Sequence, residues 1–311
     1  MSFLICRPIH LYLLLLSIVF YPGCSENSHS SDKLLAEKAG APLLKGLGSF
    51  TFPISTNNKN SQRYFNQGMV LAFAFNHAES VRSFKAAQRL DPSCAMCFWG
   101  ESLARGPNIN VTSDGAVVMS PDDRKKAFLA LKQAQYLVES VNEKEVSYIN
   151  ALSKRYNGDV KSSRALLDSE YALAMEELAK EYPEDATASS LYAESLMNTM
   201  PWNYWTEEGA PREDTKKVIS RLESVLKREP NHPLAIHLYI HTVEASKSPE
   251  RAERAADRLG DLIPGAGHLV HMPAHIYWRV GRYHDASNAN IEAAKVDERY
   301  IAQCNAQGFY P

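Results

Sequence analysis

Two prolines set the frame for this chain. Pro230 closes the segment VISRLESVLKREP, and Pro264 closes AERAADRLGDLIP 34 residues later. Apolar residues recur at helical spacing almost everywhere, and Pro, Gly or Asn interrupts them roughly every 12 to 18 residues. A helix of that length buries only one face. A pair of such helices repeated at fixed period must stack on its neighbours to complete a core. Strand signals are nearly absent. The expected fold class is therefore all-α, built from paired helices.

The phase continues past Pro264. Tyr277, Gly281, Tyr283 and Ala286 supply an aromatic, a turn glycine, a second aromatic and a small contact residue. An earlier unit over 61–94 uses Gly68, Ser80, Phe84, Ala87 and Pro92 in the same way. Small residues let two helices approach, aromatics fill the gap, and proline ends the unit. The stretch 127–200 is helical but degenerate.

These residues resemble the tetratricopeptide family over 61–311. The strings IHLYIHTVEAS, GAGHLVHMPAHIYWRVGRY and DPSCAMCFWGESLARGPNIN are similar to a bacterial exported subfamily of it. The resemblance implies an α-solenoid of antiparallel helix pairs around a concave groove. It also implies that the native chain runs on beyond Pro311 into another histidine-bearing helix. The segment Gly308-Phe309-Tyr310-Pro311 falls within a first helix that lacks a partner.

The start of the chain has a different character. Arg7 precedes an apolar run from Ile9 to Phe20, which is too short to span a bilayer comfortably. Tyr21-Pro22-Gly23-Cys24 resembles a bacterial lipobox, with Tyr21 standing where that signal usually has Leu. Residues 1–23 are thus expected to be a signal peptide and Cys24 a lipidation site, with an ordinary cleaved signal as the alternative. Residues 24–60, rich in Ser, Asn and Lys, read as a flexible tether. The expected location is the periplasmic side of a bacterial membrane, as an outer-membrane lipoprotein. Export means an oxidising compartment, so Cys94 and Cys97 are candidates for a disulfide, with a metal pair second; Cys304 is left over. A net charge of -2, with both signs interleaved, offers no footprint for nucleic acid and no basic face for anionic lipid. Membrane attachment would come through the lipid anchor only.

Ten histidines are present, and six of them fall within 232–275. His237 and His241 share a helix face, as do His271 and His275, and the two pairs are offset by the repeat period of 34. The family resemblance places repeat positions 2, 5, 9 and 12 of each first helix in the groove. Counted from Pro233 and Gly267, those positions hold His237, His241 and Glu244 in one unit and His268, His271 and His275 in the next. The spacing His-x3-His is a helical chelate. Imidazoles from helices about 8–10 Å apart can share one ion. Imidazole and carboxylate suit a divalent transition metal such as Zn, Cu or Fe. Glu244 is a candidate ligand, orienting group or catalytic base. Pro273 must lie in the first turn of its helix, which puts His271 near a helix start. The competing reading is a groove whose histidines contact a peptide or envelope protein.

Other features are less specific. His77 is expected to make a turn hydrogen bond, His232 to mark a helix entry, and His284 to be exposed. The run Met200-Pro201-Trp202-Asn203-Tyr204-Trp205 is either a lid or a buried pin for its loop. No phosphate loop, dinucleotide fingerprint or nucleophile elbow is present. Two functions follow: a transition-metal-binding exported repeat protein, with a metalloenzyme of unassigned substrate as its catalytic form, or a cell-envelope scaffold that captures a protein partner.

Overall fold

The computed structural model describes residues 26–110 and 119–304. The expected signal peptide, Cys24 and the chain end at Pro311 lie outside the described residues. Within them the chain is all-helical, with no β-strand. The helices are α1 Glu26–Ala39, α2 Lys59–Phe73, α3 His77–Leu90, α4 Ala95–Ala104, α5 Pro121–Tyr136, α6 Glu143–Ser153 and α7 Arg164–Glu181. They continue with α8 Ala186–Thr199, α9 Glu213–Arg228, α10 Pro233–Val243, α11 Glu253–Leu262, α12 Gly267–His271, α13 Pro273–Arg279 and α14 Tyr283–Cys304. No helix among the described residues is long and apolar enough to cross a membrane.

Local sequence explains where the helices begin. Asn58, Ser120, Asn142, Ser163 and Asp185 each accept a first-turn backbone N–H, which satisfies donors that the helix itself leaves open. Asn142 and Glu145 form a reciprocal capping box. His232 caps α10 through its ring, Nδ1 accepting from the Ala235 N–H at 3.2 Å, and Pro233 follows at the first helical position.

Most consecutive helices pack on one another. A second set of contacts joins alternate helices, α2 with α4, α4 with α6 and α8 with α10, and α10 also meets α13. Glycine permits the closest crossing. A Cβ on Gly100 would fall 2.2 Å from the Phe84 ring, and one on Gly68 would fall 2.8 Å from it. Phe84 therefore wedges between α2 and α4 only because both helices lack a side chain there. One further contact decides the site: α10 also reaches back to α2, bringing His237 against Phe73 at the end of α2.

The tether expected over 24–60 needs correction. Glu26–Ala39 is helical, and 41–58 runs as a strap across the helix ends. Phe52 is buried against Trp99 and Tyr148, and Phe50 meets Phe73 edge to face. The Tyr64 hydroxyl donates to the Ala41 carbonyl at 2.7 Å, and Gln67 accepts from the Leu44 N–H at 2.8 Å. The Gly265 N–H donates to Gly46 O at 2.8 Å, pinning the strap to the turn after Pro264. Its polar composition suggested solvent, but two aromatics and these backbone bonds anchor it.

The position of His271 also differs from expectation. Pro273 does open a helix, α13, but α12 precedes it, and His271 is the last residue of α12. The missing proline N–H breaks the helix into two short pieces whose axes need not align. Cys94 and Cys97 form a disulfide at the start of α4, while Cys304 is buried and free.

Candidate metal centre

α10, α12 and α13 bring five histidines and one carboxylate into a continuous cluster. His237 is fully buried, His241 is 2% exposed and His268 is 8% exposed. His271 and His275 lie toward the surface. Neighbouring rings stand 4.9 Å apart for His237–His241 and His237–His268, 5.4 Å for His241–His275, and 4.7 Å for His271–His275.

The hydrogen bonds define the tautomers. His237 Nδ1 lies 2.6 Å from the Phe73 carbonyl oxygen, which can only accept, so this nitrogen carries the proton. His241 Nδ1 donates to Glu244 Oε1 at 3.1 Å, and His275 Nδ1 donates to Glu244 Oε2 at 2.6 Å. His271 Nδ1 donates to Asn290 Oδ1 at 2.5 Å. Each neutral ring then presents an Nε2 lone pair. His237 Nε2 sits 3.0 Å from His268 Nε2, and His271 Nε2 sits 2.9 Å from His275 Nε2. His241 Nε2 is buried with no hydrogen-bond partner among the described residues. Rings held through Nδ1 by a carbonyl or carboxylate, with Nε2 presented inward, are the usual preparation of histidine for a metal.

The electrostatics agree. Burial pushes the pKa of His237 and His268 well below the usual histidine value, and neighbouring histidines add to the shift. Burial also lowers His241 and His271. These rings stay neutral and keep their lone pairs. Burial opposes ionisation of Glu244, but the hydrogen bonds from His241 and His275 outweigh it and hold the carboxyl at about 2. A carboxylate at that value with both oxygens engaged is a poor base and a good orienting group, so the geometry favours the orienting role among those the sequence allowed.

Two aromatics wall the cluster, and sequence reasoning missed one of them. Phe75 packs on His237, His268 and His241 at 4.6, 5.2 and 6.5 Å between ring centroids. It also stacks on His77, whose Nδ1 donates to Ala104 O while Nε2 accepts from Asn108 Nδ2. Trp202 meets His241 edge to face at 5.2 Å and is 51% exposed. Phe75 and Trp202 are the non-glycine residues with positive φ among the described residues, at 61° and 60°. For bulky side chains this backbone costs on the order of 1–2 kcal/mol each. Surrounding packing holds that strain, as at many functional sites. Nothing in the string Phe73-Ala74-Phe75-Asn76 signals it, because the three clustered histidines it packs on lie more than 160 residues away. The aromatic loop turns out to do both things the sequence allowed: Tyr204 is buried, Trp205 Nε1 pins to Thr242 O at 2.8 Å, and Trp202 covers the site.

Two overlapping ligand sets can be drawn. His237, His241 and His268 offer nitrogens within 4.8 Å of one another, all buried, and His241, Glu244 and His275 offer two nitrogens and a carboxylate oxygen as close together, with Glu244 and His275 half-buried. The three buried histidines lie close enough together to hold a metal ion. Zinc–nitrogen bonds of about 2.0–2.1 Å put tetrahedral ligands ~3.3 Å apart, so the three rings would have to draw together to share one ion. A cleft of about 250 Å³ lined by Asn76, His268, His271, Asn290 and Asp297 adjoins the cluster. No known family model matches this chain, and no curated protein does.

Proposed function

We propose that this protein binds a divalent transition metal through the Nε2 atoms of His237, His241 and His268, as an exported helical-repeat protein of tetratricopeptide type. The observation that carries the reading is the proton arrangement. His237 and His241 spend Nδ1 on fixed oxygen acceptors, and the lone pair of His241 is buried without a partner. A buried unsatisfied acceptor costs about 1–3 kcal/mol, which a bound cation would reverse. All donors are imidazole, which suits zinc, copper or iron over magnesium or calcium. The tetratricopeptide reading is supported by the 34-residue period and by the contacts between alternate helices.

The test is elemental analysis of the purified protein after reconstitution. About one zinc, copper or iron per chain, lost in both His237→Ala and His241→Ala, supports the assignment. Absence of metal from the wild type would overturn it. The alternative is a scaffold role, for which the structure offers a different place. A cleft of about 850 Å³ lies between the strap and the helix corners, with Phe50 and His232 in its wall and Glu181, Glu184 and Glu229 among its lining residues. A peptide partner would seat there, away from the histidines.

A further inference from the structure

We propose that the cluster holds two metal ions: an inner one on His237, His241 and His268, and an outer one on the Nε2 atoms of His271 and His275. This rests on the metal-binding reading above and extends it. Five imidazoles exceed what one tetrahedral ion uses. The excess is not scattered, because His271 and His275 face each other at 2.9 Å through Nε2. Both rings have committed Nδ1 as donor, to Asn290 Oδ1 and to Glu244 Oε2. So arranged, the two rings turn both Nε2 lone pairs toward one place, where a single cation would be held by both.

The two positions differ in burial. The inner set is buried, with Phe75 and Trp202 packed on it. His271 of the outer pair lines the cleft of about 250 Å³, as does His268, and two protein ligands leave coordination positions for solvent or a small oxygen-donor anion. Asp297 lines the same cleft, and among the described residues its carboxylate makes no hydrogen bond or ion pair. Glu244 ties the positions together, since its two oxygens orient one histidine of each set. His241 and His275 are neighbouring rings at 5.4 Å, close enough for ions separated by about 3.5–4 Å, the spacing of two-metal centres.

The experiment uses the full chain, stripped with chelator and titrated with copper(II) alone, followed by calorimetry and electron paramagnetic resonance. The wild type should take two equivalents. Spin coupling should hold the resonance of the fully loaded protein well below its copper content. His271→Ala/His275→Ala should take one equivalent with full resonance intensity. Saturation of the wild type at one equivalent overturns the two-ion inference while leaving the metal-binding reading intact; binding of none overturns both. Loss of all copper in the double variant, with helical circular dichroism unchanged, also overturns it, because the five histidines would then form a single site. Should the double variant misfold, the equivalents and resonance of the wild type, and those of His271→Gln, still decide the matter.

Discussion

Phe75 and Trp202 lie 127 residues apart in sequence, yet each presents a ring to His241 from a left-handed backbone, one stacked at 6.5 Å and the other edge-on at 5.2 Å. Two strained aromatics on one imidazole mark the place where packing has been arranged around chemistry. Between them they hold the ring whose lone pair has no partner among the described residues.

Phe75 should be needed for stability as well as for binding. We expect Phe75→Ala to cost about 3–5 kcal/mol from lost ring burial, with no relief of strain because alanine at φ 61° is also disfavoured. Urea denaturation measures the first effect. Metal titration of the folded fraction measures the second, and unchanged affinity would mean the ring only fills space.

Glu244→Gln keeps the shape of the carboxylate but replaces one accepting oxygen by an NH2 group, so it cannot accept from both His241 Nδ1 and His275 Nδ1. One ring must take the other tautomer and turn a proton toward the centre. Metal affinity should fall about 10–100-fold, with thermal stability much less affected. Competition against a chelator of known affinity would read this, and wild-type affinity in the variant would leave Glu244 without an orienting role.

Trp202 provides an optical report, because its ring touches His241 and is half exposed. Copper(II) addition should quench tryptophan emission, and Trp202→Phe should remove most of that quenching although three other tryptophans remain of the four. Undiminished quenching in Trp202→Phe would place the copper elsewhere.

His232 sets an acid limb of stability that is independent of the metal. Burial lowers its pKa from 6.5 to about 4, so the folded ring stays neutral where the unfolded one takes up a proton. Well above pH 6.5 the lowered value costs nothing; as pH drops toward 4 stability is lost, by about 3 kcal/mol at the lower end. His232→Asn keeps a good helix cap and lacks the titration. Denaturation midpoints between pH 7 and pH 4 should therefore fall less steeply in the variant, and parallel curves would refute the assignment.

The strap should contribute to the fold. Phe52 is 4% exposed among Phe65, Trp99 and Tyr148. Phe52→Ala should cost about 3–5 kcal/mol. A loss below about 0.5 kcal/mol, the size of an ordinary surface substitution, would restore the picture of a tether.

What the sequence determined is what local and periodic rules control. Apolar spacing made the chain helical, the prolines and capping residues placed its helix boundaries, and two histidine pairs one repeat apart marked where ligands would gather. His-x3-His fixes a shared helix face without reference to the rest of the chain, so those residues were legible, and His268 followed from repeat position. Contacts between segments distant in sequence were left to the tertiary structure. The strap 41–58 looked like a tether because its anchors, Phe50, Phe52 and Gly46, gain partners only once Phe73, Trp99 and Gly265 are in place. Likewise no local rule tells that Phe73 will offer its carbonyl to His237, that Phe75 will turn its ring onto three histidines, or that Glu244 will span two of them rather than act as a base. Those choices are made when α10 closes back on α2, because proton positions and burial depend on what surrounds a side chain and not on what precedes it in the chain.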